Sequence, residues 1–284
     1  MTEFATRTLT ANGIQQHVAT AGTGGPVLVL LHGWPHTWFL WRNVMRALAA
    51  DHRLVAPDLR GLGSTGTPGT GYDLHTLADD GAGLRDGLDI PSATVVGIDL
   101  GAPVAFMTAH RHPQRVERLA LIESVLGTLP GAEPFLAAGP PWWFGFHAVP
   151  GLAERVLHAH VADYIDWFLQ NGTHREVAPE ARDAFVLAYE DPDVLRAGFE
   201  HYRALAANSL LLQDAAQTHL HLPVLAVGGS VVGEALHRQL APLATDLQGT
   251  VLPDCGHIVP EDAPAALVDA LRTLLARPRR EARR

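Results

Sequence analysis

Apolar residues fall into two rhythms along this chain. Phe4 to Thr10 and Ile14 to Ala21 alternate loosely, and Ala11-Asn12-Gly13 between them predicts a hairpin at a sheet edge. Val27 to Leu31, Leu54 to Ala56, Ala93 to Ile98, Arg118 to Ile122, Val224 to Val227 and Thr250 to Leu252 are short, mostly apolar runs. All read as strands, and the continuous run Val27 to Leu31 is expected of one covered on both faces of a parallel sheet. Trp38 to Ala50, Leu74 to Leu88, Pro103 to His112, Glu234 to Leu243 and Ala263 to Leu275 carry helical patterns instead. Strands alternating with helices predict an α/β fold with a doubly wound, mostly parallel sheet. From about Gly127 the rhythm changes. Gly131 to Pro150 is rich in Pro, Gly and aromatics, and Leu152 to Leu169, Pro179 to Tyr189 and Asp193 to Leu212 read as helices without strands. The expected division is a core of residues 1–127 and 208–284 and a helical cap of residues 128–207. A cap so placed lies over the C-terminal strand ends, where such sheets bind ligands.

Composition narrows the picture. With 284 residues, 47% apolar and 18% charged, the chain fits one large α/β domain with an insertion and argues against disorder. A net charge of −9 disfavours nucleic acid or an anionic membrane as partner. Cys255 is the one cysteine, Met1 to Gly25 holds no apolar signal segment, and no apolar run approaches a membrane span. A cytoplasmic location is therefore expected. The chain has no lysine, which excludes Schiff-base chemistry, lysine-bound pyridoxal phosphate and a P-loop. The basic end RPRREARR reads as a solvated terminus.

The chemistry centres on Gly97-Ile98-Asp99-Leu100-Gly101, set between a strand and a helix. That is the strand–sharp turn–helix grammar of a nucleophile elbow. The flanking glycines let strand and helix approach and let the central residue take a strained backbone. The usual occupant is Ser; here it is Asp99, and a carboxylate attacking carbon gives an alkyl ester. An Asp capping the following helix is the plainer reading of that residue in isolation. His257, in PDCGHIVP after the last strand, stands where this fold carries its base. The backbone N–H groups of Trp34, after the strand ending at Leu31, and of Leu100 are expected to form an oxyanion hole. His32 reads as a buried residue shaping that loop.

Together HGWPHTWFLWR, APDLRGLGST, VVGIDLG and CGHIVPEDAP, with the cap segments PGLAERVL and FEHYRALAANS, resemble the ordered signature of α/β-hydrolase-fold epoxide hydrolases and related dehalogenases. The resemblance covers nearly the whole chain. One departure is Ile98, where the family usually has His; it is expected to alter packing rather than mechanism. The acid beside His257 in many relatives is an Asp after the strand here read as Val224 to Val227, where this chain has no carboxylate until Glu234. Other epoxide hydrolases place a Glu where Glu123 stands, and Glu123 is preferred to Glu234. Tyr202 matches the cap tyrosine that donates to the epoxide oxygen. The second donor, a Tyr or His in relatives, is here Trp143, preceded by Trp142. An indole N–H donates but cannot transfer a proton, so Tyr202 would be the sole acid.

The resemblance thus implies a cofactor-free hydrolase acting on ether bonds, opening an epoxide to a vicinal diol. Trp38, Trp142, Phe144 and Phe146, with Trp143 and Tyr202, imply a bulky, apolar or aromatic substrate, of the sort tailored in secondary metabolism. The expected partners are that epoxide and water, without nucleic acid or membrane, and a homodimer is admitted. Two other readings stand beside this one. A haloalkane-type dehalogenase would use the same Asp99, His257 and Glu123, although the Arg that fluoroacetate-type relatives carry after the nucleophile is Leu100 here. A non-catalytic small-molecule binder on this fold is the other. Gly61 to Gly66 matches a dinucleotide-binding pattern by letter but opens no helix. His158 with His160 and His219 with His221 lack partners at metal-ligand spacing, so no metal is expected. Asp79-Asp80 reads as a helix face and Asp254 as a turn.

Overall fold

The computed structural model describes residues 4–137 and 139–278. Eight strands form one sheet: β1 (Ala5–Ala11), β2 (Ile14–Ala21), β3 (Val27–Leu31), β4 (Arg53–Pro57), β5 (Ala93–Ile98), β6 (Val116–Ile122), β7 (Val224–Gly228) and β8 (Leu247–Val251), in the order β1-β2-β4-β3-β5-β6-β7-β8. The predicted hairpin is present. Asn12 and Gly13 both take positive φ, 47° and 77°, as the tight turn matching strand twist requires. β2 runs antiparallel to β4, and β4, β3, β5, β6, β7 and β8 are parallel in that order. Leu30, Val96, Ala120 and Leu225 lie in register across the middle strands and are buried. Helices cover both faces, so these strands carry no polar alternation.

Seven helices lie between β6 and β7 among the described residues, from Glu133–Leu136 to Leu205–Ala215, with no named strand. Several predicted helices are broken where the apolar rhythm runs on. Trp38 to Ala50 becomes a 3-10 turn, Trp38–Trp41, and a helix, Arg42–Leu48. Leu152 to Leu169 becomes Leu152–Leu157 and Val161–Gly172, and Asp193 to Leu212 divides at Ala204 into Pro192–Arg203 and Leu205–Ala215. The last piece is held to the core by buried Asn208, which accepts the Leu74 N–H at 2.9 Å and donates to Tyr72 O at 3.3 Å. Conversely, the Pro-rich stretch 131–150 holds two helices, Glu133–Leu136 and Trp142–Ala148, the second opened by Pro141.

Some polar residues also differ from expectation. Asp80 is buried, and it grips Arg60 through two 2.7 Å bonds. Arg277, the first residue of the basic end, pairs with Asp246 and accepts from Arg118 through its carbonyl; residues 279–284 lie outside the described residues. No helix among the described residues is long and apolar enough to cross a membrane.

Candidate active site

The C-terminal ends of β3, β5, β6 and β7 and the loop after β8 meet under the inserted helices. At the end of β5 the chain turns into helix Gly101–Arg111 through Asp99, whose φ is +52°. A non-glycine residue held there costs about 1–3 kcal/mol, and its surroundings show why it is held. A Cβ on Gly97 would stand 2.2 Å from Gly101 O, and one on Gly101 would stand 2.4 Å from Leu31 O. Gly33 is equally constrained, since its Cβ would lie 2.1 Å from Asp99 Oδ1. The elbow fits only with glycine on three sides.

The Trp34 N–H donates to Asp99 Oδ1 at 3.0 Å, and His257 Nε2 faces Asp99 Oδ2 at 3.1 Å. Burial pushes the Asp99 pKa up, but His257 and the Leu100 N–H outweigh it and hold the carboxyl below its usual range. It is an anion in a cavity. His257 Nδ1 lies 3.1 Å from Glu123 Oε2. Burial pushes the imidazole down, yet hydrogen bonds to Asp99 and Glu123, and their charges, lift it to about 10. Glu123 directly follows β6 with φ +40° and is fully buried. Its Oε1 accepts from the N–H groups of Gly229 and Val232. Glu234 is exposed and pairs with Arg238, so the structure brings Glu123 and not Glu234 to the imidazole.

Two cavities share Asp99, Ser124, Val125 and Phe144. One runs past Trp34, His36, Trp143, Phe168 and His257. The other runs past Leu74, Pro103, Leu136, Leu205 and Leu212. Trp143 is half-buried in the first wall, its ring 5.3 Å from that of Phe168. Tyr202 is buried among Trp34, Phe144 and His147, at ring distances of 5.9, 5.5 and 4.4 Å. Burial and the nearby Asp99 charge push its phenol well above the ordinary range, so it keeps its proton.

Four of the expected lining residues line neither cavity: Tyr202, behind Trp34 and Phe144 in its ring cluster, and three that lie elsewhere. Trp142 is 55% exposed and packs edge-to-face against Trp167. Phe146 shares that outer side, against Trp142 and Tyr164. Residues four apart share a helix face, so helix Trp142–Ala148 turns Trp143 and His147 inward and Trp142 and Phe146 outward. Trp38 packs on Phe4 and Phe39, with its N–H bound to Asp58; the 3-10 turn points it away from both cavities. Ile98 is buried and pairs with Ile122 in the sheet.

The structure adds residues that the sequence did not single out. His147 bonds Tyr164 Oη through Nε2 at 2.7 Å and stacks on Phe199; burial pushes it down to about 3. His36 lines the first cavity, and burial pushes it to about 3 as well. The four-residue spacing of Trp143 and His147 was the available signal. The Trp34 ring is the hub of this roof, within 4.9 Å of His147 and Phe168 and about 6 Å of Tyr164, Tyr189, Phe199 and Tyr202. His32 donates from Nδ1 to Gly33 O and accepts the Leu59 N–H at Nε2, shaping its loop as expected. His158, His160, His219 and His221 are exposed, and no metal-holding cluster occurs among the described residues.

Residues 26–264 match the α/β-hydrolase-fold family. The chain is 33% identical over 275 residues to a soluble epoxide hydrolase of Corynebacterium sp. (strain C12), covering 94% of this chain and 96% of that protein. In structure it is similar to Cfl2 of Burkholderia cenocepacia, at 31% identity over 95% of each chain with a TM-score of 0.86. It is also similar to the epoxide hydrolase CorEH, at 30% identity over 96% of this chain and 99% of that one, again with a TM-score of 0.86.

Proposed function

The chain belongs to the α/β-hydrolase-fold family, on its epoxide-hydrolase branch, and from that premise we propose that it opens an apolar epoxide to a vicinal diol through an ester on Asp99. An Asp99 oxygen attacks an epoxide carbon, and the breaking C–O bond leaves its electron pair on oxygen. Tyr202 gives that oxygen its proton, and the Trp143 indole N–H supports it as a donor. His257 then takes a proton from water, and the hydroxide adds to the ester carbonyl. The N–H groups of Trp34 and Leu100, which hold the Asp99 carboxylate at rest, hold the oxyanion that forms there. Collapse expels the diol oxygen, which takes the proton held by His257, and the carboxyl proton left on Asp99 passes to the Tyr202 phenolate, restoring the resting charges. Residues 128–207 act as the lid that excludes water from the first step.

The observation that carries this reading is the chain Asp99–His257–Glu123, with 3.1 Å at each link and the anionic end inside a cavity. It also resolves an apparent conflict, since an imidazole lifted to about 10 is a poor base at neutral pH. Ester formation neutralises Asp99, one of the two charges lifting His257 disappears, and the imidazolium sheds its proton to solvent when a base is needed, regaining it when the Asp99 charge returns. The decisive experiment is mass spectrometry of a His257→Gln variant exposed to a panel of apolar epoxides, styrene oxide among them. The epoxide mass added at Asp99 is the expected result; unmodified protein across the panel overturns the mechanism. The Trp143 N–H also suits a departing halide, so diol and free halide are assayed on paired epoxide and haloalkane substrates, with diol alone expected.

A further inference from the structure

The helical turn after His257, Val259–Asp262, carries two carboxylates that pull in opposite directions. Glu261 reaches the α/β core, where both its oxygens pair with Arg42. Asp262 is only 1% exposed and gathers backbone N–H groups instead: Gly256 at 2.7 Å, His174 at 2.8 Å and Arg175 at 2.9 Å. Gly256 belongs to the loop of His257, while His174 and Arg175 leave the inserted helix Val161–Gly172. Further stitches run alongside. The Ile258 N–H donates to Gly172 O at 2.9 Å, and His174 Nε2 lies 3.1 Å from Oγ of Ser230, whose N–H donates to Cys255 O at 2.7 Å. A Cβ on Gly256 would stand 2.5 Å from Gly172 O, so the two segments meet with no space between them.

The geometry points to Asp262 as a positioning residue for the second half of the reaction. It ties the loop of His257 to the inserted helices, and so sets where the imidazole stands when water must reach the ester. This rests on the covalent reading above. Asp99 takes its backbone position from the elbow and one carboxylate oxygen from the Trp34 N–H, neither of which Asp262 touches, and meets the loop through His257 Nε2 at its other oxygen. His257 takes its position from residues 252–258, whose middle Asp262 grips. Loosening that grip therefore slows ester hydrolysis and spares ester formation. The Asp262→Asn change keeps the shape but turns an NH2 group against N–H donors that need an acceptor.

The test is rapid-quench mass spectrometry of the full chain with styrene oxide as probe. In Asp262→Asn the ester is expected to form within about two-fold of the wild-type rate and to hydrolyse about ten- to a hundred-fold more slowly. The ester then accumulates, and kcat and KM fall together with kcat/KM unchanged. His174→Ala, which removes only an exposed stitch, is expected to give the same split at about two- to five-fold, and it decides the matter should Asp262→Asn not fold. Equal slowing of both steps, or no slowing in a folded variant, overturns the proposal. His257→Gln run in parallel separates the two ideas: no ester there sinks the covalent reading itself, whereas ester there without a split in Asp262→Asn sinks only the positioning role.

Discussion

Replacing Asp99 by Asn removes one of two negative charges that hold the His257 imidazolium. In the wild type that group is lifted from 6.5 to about 10 against the opposing effect of burial, a preference on the order of 5 kcal/mol at about 1.4 kcal/mol per pH unit. Both carboxylates sit 3.1 Å from a ring nitrogen, and an opposite charge at such range moves a pKa by roughly one to three pH units. In Asp99→Asn, where Glu123 alone remains, His257 is expected to titrate between about pH 7 and pH 9. The assay is an NMR titration of the imidazole Cε1–H, with the resonance picked out of 16 histidines by its absence from His257→Gln. The ester is neutral at the same position, so the variant stands in for the intermediate. A His257 still titrating near 10 in Asp99→Asn would mean that Glu123 holds the charge by itself. Ester formation would then release no base, and the proposed sequence of events would fail.

Stability should carry the same signature. Because folding raises the His257 pKa, its contribution is complete below about pH 6.5 and is lost as pH rises through about 10; the Tm gap between wild type and His257→Gln should close over that window in calorimetry. Glu123→Gln is expected to lower kcat by about 10²–10⁴, whereas Glu234→Gln on the exposed helix end should change it less than about two-fold; equal effects would reassign the acid. Tyr202→Phe removes the only proposed proton donor to the epoxide oxygen and should cost about 10²–10⁴ in kcat. Trp142→Phe, outside both cavities, should leave kcat/KM unchanged, and steady-state kinetics on one epoxide check both.

The residues at strand ends were legible because topology leaves them nowhere else to go. A short apolar run followed by Gly-x-Asp-x-Gly fixes where Asp99 stands, and Glu123 and His257 inherit their places from the ends of β6 and β8 in the same way. The roof was not legible to that degree. Pro140 and Pro141 disguised the start of a helix, and without its phase Trp142 and Trp143 could not be told apart, although one is outside and the other inside. Apolar spacing likewise ran unbroken across Ala204 and residues 158–160, because periodicity records which face is buried and not which way a helix points. The bond from His147 to Tyr164 spans 17 residues between two helices, and Asp262 meets His174 across 88. Pairings of that kind exist only after folding.

Trp34 has a further consequence. Its amide steadies Asp99 from the floor, while its indole is wedged into the ring cluster of the ceiling. Only the two rotatable bonds of one side chain separate them. Warming that slackens the ceiling is expected to slacken the amide with it, so activity should fade at a temperature where far-UV circular dichroism still reports an intact sheet.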